Sequence, residues 1–153
     1  MRQATTPVSR TIKVVTGCVL ALNLGCYVAA FIHPQMLLAG VLLSVIVLAC
    51  YLFWTPVAYE LDNEQLTVFF RIGQVRYRPV VKCSRQESKL GFGLRLCGNG
   101  GLFAGSGIFW CRRLGVFRAY VTSAKFQDWL LVETTKTKIL ISPADPQAWV
   151  TAR

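Results

Sequence analysis

The order of apolar and polar positions divides the chain into two regimes. From Val14 to Trp54 the sequence is apolar almost without a break, and its one interruption is His33-Pro34-Gln35. Two runs result, Val14–Ile32 and Met36–Trp54, each of 19 residues. A helix rises about 1.5 Å per residue, so roughly twenty residues cross a hydrocarbon layer of about 30 Å. The runs therefore predict a transmembrane helical hairpin over residues 11–54, with Pro34 suited to the tight turn. Asn23 lies well inside the first span, and an amide in lipid seeks a partner on the facing helix or in a second copy. Gly17, Gly25 and Gly40 permit close helix approach.

From Pro56 onward the period changes to two. Leu66, Val68 and Phe70 fall on one face of a strand over Gln65–Arg71, and Val75-Arg76-Tyr77-Arg78 alternates with its arginines facing away from the apolar pair. Asp62-Asn63-Glu64 and Ile72-Gly73 supply turns, and Pro79 ends or bends the strand before it. Val80–Gly91 mixes four charges with few apolar residues and reads as a strand end followed by an irregular loop. Leu94–Cys97 is a short strand, and Ile108–Leu114, Val116–Ser123, Trp129–Thr134 and Lys138–Ser142 are four more. Ser142-Pro143-Ala144-Asp145 opens a closing helix, with Asp145-Pro146 an equally good start one turn later. Trp149 and Val150 would then point to the core. Residues 56–153 thus predict an α+β unit: about seven short strands in a strongly bent antiparallel sheet or small barrel, with the helix over an open end. The polar residues 1–10 read as an arm without order.

Charge adds an orientation. The 153 residues carry 17 Lys and Arg against 7 Asp and Glu, a net charge of +10. Arg2, Arg10 and Lys13 precede the first span, Arg71, Arg76 and Arg78 follow the second, and the connecting tip has no Lys or Arg. The positive-inside rule then puts both termini in the cytoplasm of a multi-pass plasma-membrane protein, with an aromatic belt at Tyr51, Phe53 and Trp54. Cleavage is the competing reading of the first run. Val28-Ala29-Ala30 loosely fits a signal-peptide site, and Val15-Thr16-Gly17-Cys18 a lipoprotein box. Against these, a second span follows within three residues, and too few apolar residues precede Cys18.

Candidate chemistry is sparse. The six cysteines form no Cys-x-x-Cys, and His33, the one histidine, lies at the hairpin tip, so no metal set is expected. Mostly buried thiols in a reducing compartment are the simpler reading. Gly98–Gly107 is dense in glycine but lacks the lysine of a phosphate loop, and a strand follows it rather than a helix. It reads as a wide bend or bulge, with Leu102 and Phe103 at its centre either plugging the core, the favoured reading, or forming an exposed contact. Beyond Trp54 there is no histidine to pair with a serine or cysteine, and Asp128 and Glu133 are a strand segment apart, so no catalytic residues and no cofactor are expected.

From about Tyr59 to Ala152 the chain resembles the bacterial pleckstrin-homology-like domains fused to paired transmembrane helices. Gly98-Asn99-Gly100-Gly101-Leu102-Phe103, Gly107, Phe109, Leu114-Gly115, Phe117–Thr122 and Ile141–Pro146 carry the likeness by their order and spacing. It implies two orthogonal antiparallel sheets with a C-terminal helix, and a binding or assembly role without an activity of its own. Phosphoinositide binders of this kind carry bases around the first loop. Here that loop, Asp62-Asn63-Glu64, is acidic, so inositol-phosphate binding is not carried over.

The remaining candidates are Arg76, Arg78, Arg112, Arg113 and Arg118, all expected on or beside strands, with Arg112 and Arg118 on two consecutive ones. They define a candidate surface for a protein partner or for anionic lipid headgroups. The leading expectation is a non-enzymatic scaffold module, integral to the bilayer and facing the cytoplasm, that binds a protein or associates with itself. The alternative is sensing of an anionic lipid surface through these arginines. Nucleic acid is not an expected partner of a domain held at a membrane.

Overall fold

A computed structural model describes residues 2–62, 64–85, 93–100 and 102–151. Two helices come first, α1 (Arg10–Ala29) and α2 (Gln35–Phe53), each long and apolar enough to cross a membrane. The first starts a turn earlier than its apolar run, taking in Arg10 and Lys13, and ends at Ala29 instead of Ile32. The rest of the chain does not bury the pair: Leu22, Leu24, Leu38 and Leu42 stay mostly exposed on its outer faces. Between the helices, Asn23 Nδ2 donates to the Gly40 carbonyl at 3.0 Å and to Ser44 Oγ at 3.1 Å. The Tyr27 hydroxyl shares Ser44 as well, at 2.9 Å. The amide thus finds its partner on the facing helix. At Gly40 the helices pack tightly, since an added Cβ would sit 3.3 Å from the Tyr27 ring; Gly17 and Gly25 face open space.

Among the described residues there are ten strands, where the alternation predicts about seven, and the first of them precedes the helices. β1 (Arg2–Ala4), β2 (Pro56–Asp62), β3 (Gln65–Phe70) and β4 (Gln74–Tyr77) form a four-stranded antiparallel sheet in that order. The first strand corrects the expectation of an arm without order. Arg2–Ala4 pairs with Ala58–Glu60, and the Thr6 N–H donates to the Ser142 carbonyl at 2.8 Å. Backbone groups beside a sheet edge are strong donors and acceptors, and a polar segment satisfies them as well as an apolar one.

A six-stranded sheet takes the rest: β5 (Val80–Arg85), β6 (Gly93–Gly100), β7 (Gly105–Cys111), β8 (Gly115–Val121), β9 (Leu130–Thr134) and β10 (Lys138–Ile141). Its order is β5-β9-β10-β8-β7-β6, and β10 runs parallel to β8, against the expectation of a wholly antiparallel unit. The link Thr122–Trp129 is too long for a hairpin. Its 3-10 turn at Phe126–Asp128 is tied down by Ser123, which donates to Asp128 Oδ2 at 2.5 Å, while the Trp129 indole donates to the Ser123 carbonyl at 2.8 Å. The chain therefore skips one strand position, about 4.8 Å, and β10 folds back into the gap. Among the described residues neither sheet closes on itself, so the antiparallel sandwich of two sheets that the resemblance implies holds and the small barrel does not. Of the ambiguous Val80–Gly91 stretch, Val80–Arg85 is a full strand paired with β9, and residues 86–92 lie outside the described ones, as does Asn63 of the first turn.

The core lies between the sheets. Tyr59, Leu66, Val68 and Phe70 meet Tyr120, Leu130, Val132, Ile139 and Ile141, and Trp149 closes the end. Trp149 belongs to α3 (Pro146–Thr151), whose cap is Asp145: its Oδ1 accepts from the N–H groups of Gln147 and Ala148 at 3.0 and 3.2 Å. The later of the two predicted helix starts is the one used. Trp149 is fully buried as expected, whereas Val150 is 42% exposed, because a helix this short has one inward position. A second cluster, including Phe117, Val121 and Leu140, covers the opposite face of the six-stranded sheet. All six cysteines remain thiols, and Cys50 and Cys111 are the buried pair.

Candidate functional site

Three features stand where the hairpin meets the sheets. The first is the glycine-rich β6–β7 hairpin. Gly98 and Gly107 face each other with φ of 112° and 147°, and a Cβ on either would collide with the opposite backbone. This is the close backbone approach that the glycines predict, built as a bulged strand pair with its register shift between Arg95 and Cys97. Asn99 caps the tip, accepting from the Leu102 N–H at 3.0 Å and donating back to the Leu102 carbonyl. Phe103, at φ 63°, does not plug the sheet core as expected. Its N–H donates to Thr16 Oγ1 of α1 at 3.0 Å, and its ring meets Tyr51 of α2 edge-on at 5.1 Å. The tip is a clamp on the helix pair.

Arg71 completes that clamp from the other sheet. Its guanidinium lies 4.2 Å above the Tyr51 ring. The next residue, Ile72, donates its N–H to the Leu52 carbonyl at 3.1 Å, using a group that the end of α2 leaves without a helical partner. Lys13, Thr16, Tyr51, Arg71 and Phe103 then surround a hollow of about 360 Å³. Among the described residues no Asp or Glu lines it.

The second feature is a cleft between the sheets, of about 340 Å³, with Trp54, Phe70 and Arg118 in its lining. At its floor Arg118 Nη1 donates to the Tyr77 hydroxyl at 3.1 Å, and the Tyr77 and Tyr120 hydroxyls are 2.6 Å apart. The Tyr59 hydroxyl donates to the Tyr120 carbonyl at 2.5 Å. Burial pushes the Tyr59 and Tyr120 phenols well above the ordinary tyrosine range, and the bond to Tyr77 pushes Tyr120 further. Arg118's own hydrogen bond to the Tyr77 hydroxyl raises the guanidinium further, and it stays a cation. The hydroxyl chain thus ends in one fixed positive charge.

The third is an apolar groove of about 260 Å³ between the start of α1 and the outer face of the six-stranded sheet. Ile12 and Val15 form one wall, and Phe109, Phe117 and Trp129 the other. Phe109 and Phe117 are register partners with stacked rings 5.9 Å apart. Among the described residues no charged side chain lines this groove.

The five arginines read from the sequence fall in separate places. Arg76 and Arg78 are exposed, Arg76 on the outward face of β4. Tyr77 points the other way and takes Arg118 with it, into the cleft. Arg112 and Arg113 occupy the turn between β7 and β8, so Arg112 is not on a strand: the hairpin closes at Cys111, paired with Gly115, and the arginines fill the loop. Sequence reasoning used Lys13 and Arg71 for orientation and Tyr51 as a belt residue. Their convergence depends on the Ile72–Leu52 bond and on the Phe103 clamp, both long-range, though Lys13 at the edge of the apolar run was a visible signal. The tyrosine chain had no local signal beyond the alternation that sets Tyr77 opposite its arginines.

Comparison with known proteins agrees with this architecture. No curated protein and no solved structure matches the chain. A family model described as "Bacterial PH domain" matches residues 57–152, from β2 through α3. With more than half of its length so matched, the chain belongs to the bacterial PH domain family.

Proposed function

We propose that the protein is a non-enzymatic interaction module of the plasma membrane, anchored by its two helices, with both termini in the cytoplasm, and that it binds an apolar segment of a partner protein. Membership in the PH family supports an interaction role, with protein or lipid as ligand. The observation that carries the reading is the uncharged groove between Ile12 and Trp129. It is apolar, open, and continuous with the buried cluster on the outer face of the six-stranded sheet. Its far wall belongs to β7, β8 and the link after β8, so the groove is built largely on the sheet domain, and its other wall, Thr11, Ile12 and Val15, lies at the polar end of α1, where a protein segment can enter from the aqueous side. Catalysis has little support: His33 sits in the turn between the helices, a full helix length from the sheets.

Photo-crosslinking in native membranes tests this. A crosslinking amino acid at Ala124, in the groove lining, is expected to give a protein adduct of discrete mass. Thr11→Trp, which fills the groove from α1, is expected to abolish it. An adduct of twice the chain mass identifies the partner as a second copy. Adducts to lipid alone, or an equal yield from position 112 in the distant turn, overturn the reading.

A further inference from the structure

We infer that the hollow bounded by Lys13 and Arg71 is a binding site for one anionic phospholipid, held by its phosphate. The inference rests on the membrane-spanning reading and concerns a different site from the apolar groove. Lys13 is the last residue before the apolar run of α1. Arg71 is held at the last turn of α2 by the neighbouring Ile72–Leu52 bond. Both cations therefore stand where a helix pair leaves hydrocarbon for the headgroup layer. The Tyr51 ring under Arg71 fixes the guanidinium at 4.2 Å without neutralising it, because an aromatic face holds a cation but leaves its outward N–H groups for an anion. Thr16 accepts from Phe103 and keeps its own hydroxyl proton to donate. A phosphate fits this set of donors: a planar fork, a mobile ammonium and a hydroxyl, with no carboxylate among the described lining residues.

What distinguishes a lipid from a free phosphate is the continuation of the hollow. It shares Leu20, Tyr51 and Phe103 with a second space of about 340 Å³ that runs down the helix pair along Val47 and Leu48. That lower space ends at Asn23 and Ser44, which bond to each other and need nothing from a ligand. A cationic opening above an apolar channel has the shape of an amphiphile. Phe103, fixed between the helices by the glycine-rich tip, forms a wall common to both levels. The lipid would then be in contact with the clamp that joins the sheets to the hairpin.

The test uses the full chain, delipidated in detergent, with phosphatidylglycerol or phosphatidylcholine added and binding read by native mass spectrometry. One phosphatidylglycerol is expected to bind in preference to phosphatidylcholine. Each base near an anionic surface contributes about 1 kcal/mol, so the double substitution Lys13→Gln and Arg71→Gln is expected to weaken binding about thirtyfold. Lys13→Arg keeps the charge and should retain binding. Arg112→Gln with Arg113→Gln, in the far turn, should change little. Equal binding of phosphatidylcholine, or equal loss in the two double variants, overturns the site. Competition by glycerol phosphate at equal concentration overturns the lipid and leaves a soluble phosphate. Alkaline extraction of membranes is read separately: release of the chain defeats the spanning reading itself, whatever the lipid result.

Discussion

The backbone N–H of Phe103 donates to Thr16 Oγ1 at 3.0 Å, joining the tip of a strand hairpin to a helix 87 residues earlier. With the Phe103–Tyr51 ring contact it makes the sheets and the hairpin one mechanical object. Thr16→Val keeps the shape and removes the acceptor. A lost hydrogen bond of this kind is worth about 1 kcal/mol, or about fivefold in a local opening equilibrium. Amide exchange of residues 102–107 is expected to accelerate by that factor while the strands of the core stay protected. Unchanged exchange would mean that the ring contact alone holds the tip.

Gly107 and Gly17 offer a matched comparison. An Ala at 107 would take φ of 147° and drive its Cβ into the Cys97 backbone; an Ala at 17 meets nothing within 4 Å. Gly107→Ala is expected to cost about 2 kcal/mol or more from strain and overpacking. Gly17→Ala should be silent or slightly stabilising. Thermal unfolding of both variants in the same detergent checks the difference.

Most of this architecture was legible because it is written in local periods. The two spans, the buried face Leu66-Val68-Phe70, the glycine approach and the helix after Asp145 each follow from a short window. What was not legible depends on partners far away in sequence. Arg2–Ala4 looks like a free arm until β2 offers it an edge. β10 looks like the outer strand of a hairpin until the link after β8 leaves it a gap. Phe103 has the hydropathy of a core residue and is used as a clamp. The arginines share a composition but not a face, since Tyr77 turns Arg118 inward while Arg76 stays outside.

The tyrosine chain predicts an alkaline limit. Tyr59 and Tyr120 have phenols raised above the ordinary value in the folded protein, by burial first. In the unfolded chain they ionise near pH 10. Below that value both states keep the protons, and the full stability is present. Above it the unfolded state loses protons first, so stability falls as pH rises toward the raised folded values. Tyr59→Phe removes that group's share of the alkaline loss, and lowers stability at neutral pH by about 1 kcal/mol through the bond to the Tyr120 carbonyl. Denaturant titrations of both proteins at pH 7 and pH 11 are expected to show the gap between them narrowing. A gap that stays constant would show that Tyr59 ionises normally.

The last prediction concerns sidedness, and the fold sharpens it. β1 pairs with β2, and the Ser9 N–H donates to the Thr122 carbonyl at 3.1 Å, so the N-terminal strand and the sheets must share one side of whatever the helices cross. Two spans return the chain to its starting side, which agrees. Arg10 and Lys13 flank that side of α1, and Arg71 flanks α2, while the turn at His33 has no base. Moving such bases to the cytoplasmic face is the favoured insertion. A reporter active only outside the cytoplasm is therefore expected to stay silent when fused after Arg153, and to become active when inserted between His33 and Pro34. Activity at both places would mean that α2 does not cross, and overturns the two-span reading. Activity after Arg153 alone would invert the orientation and place the Lys13–Arg71 hollow against the outer leaflet.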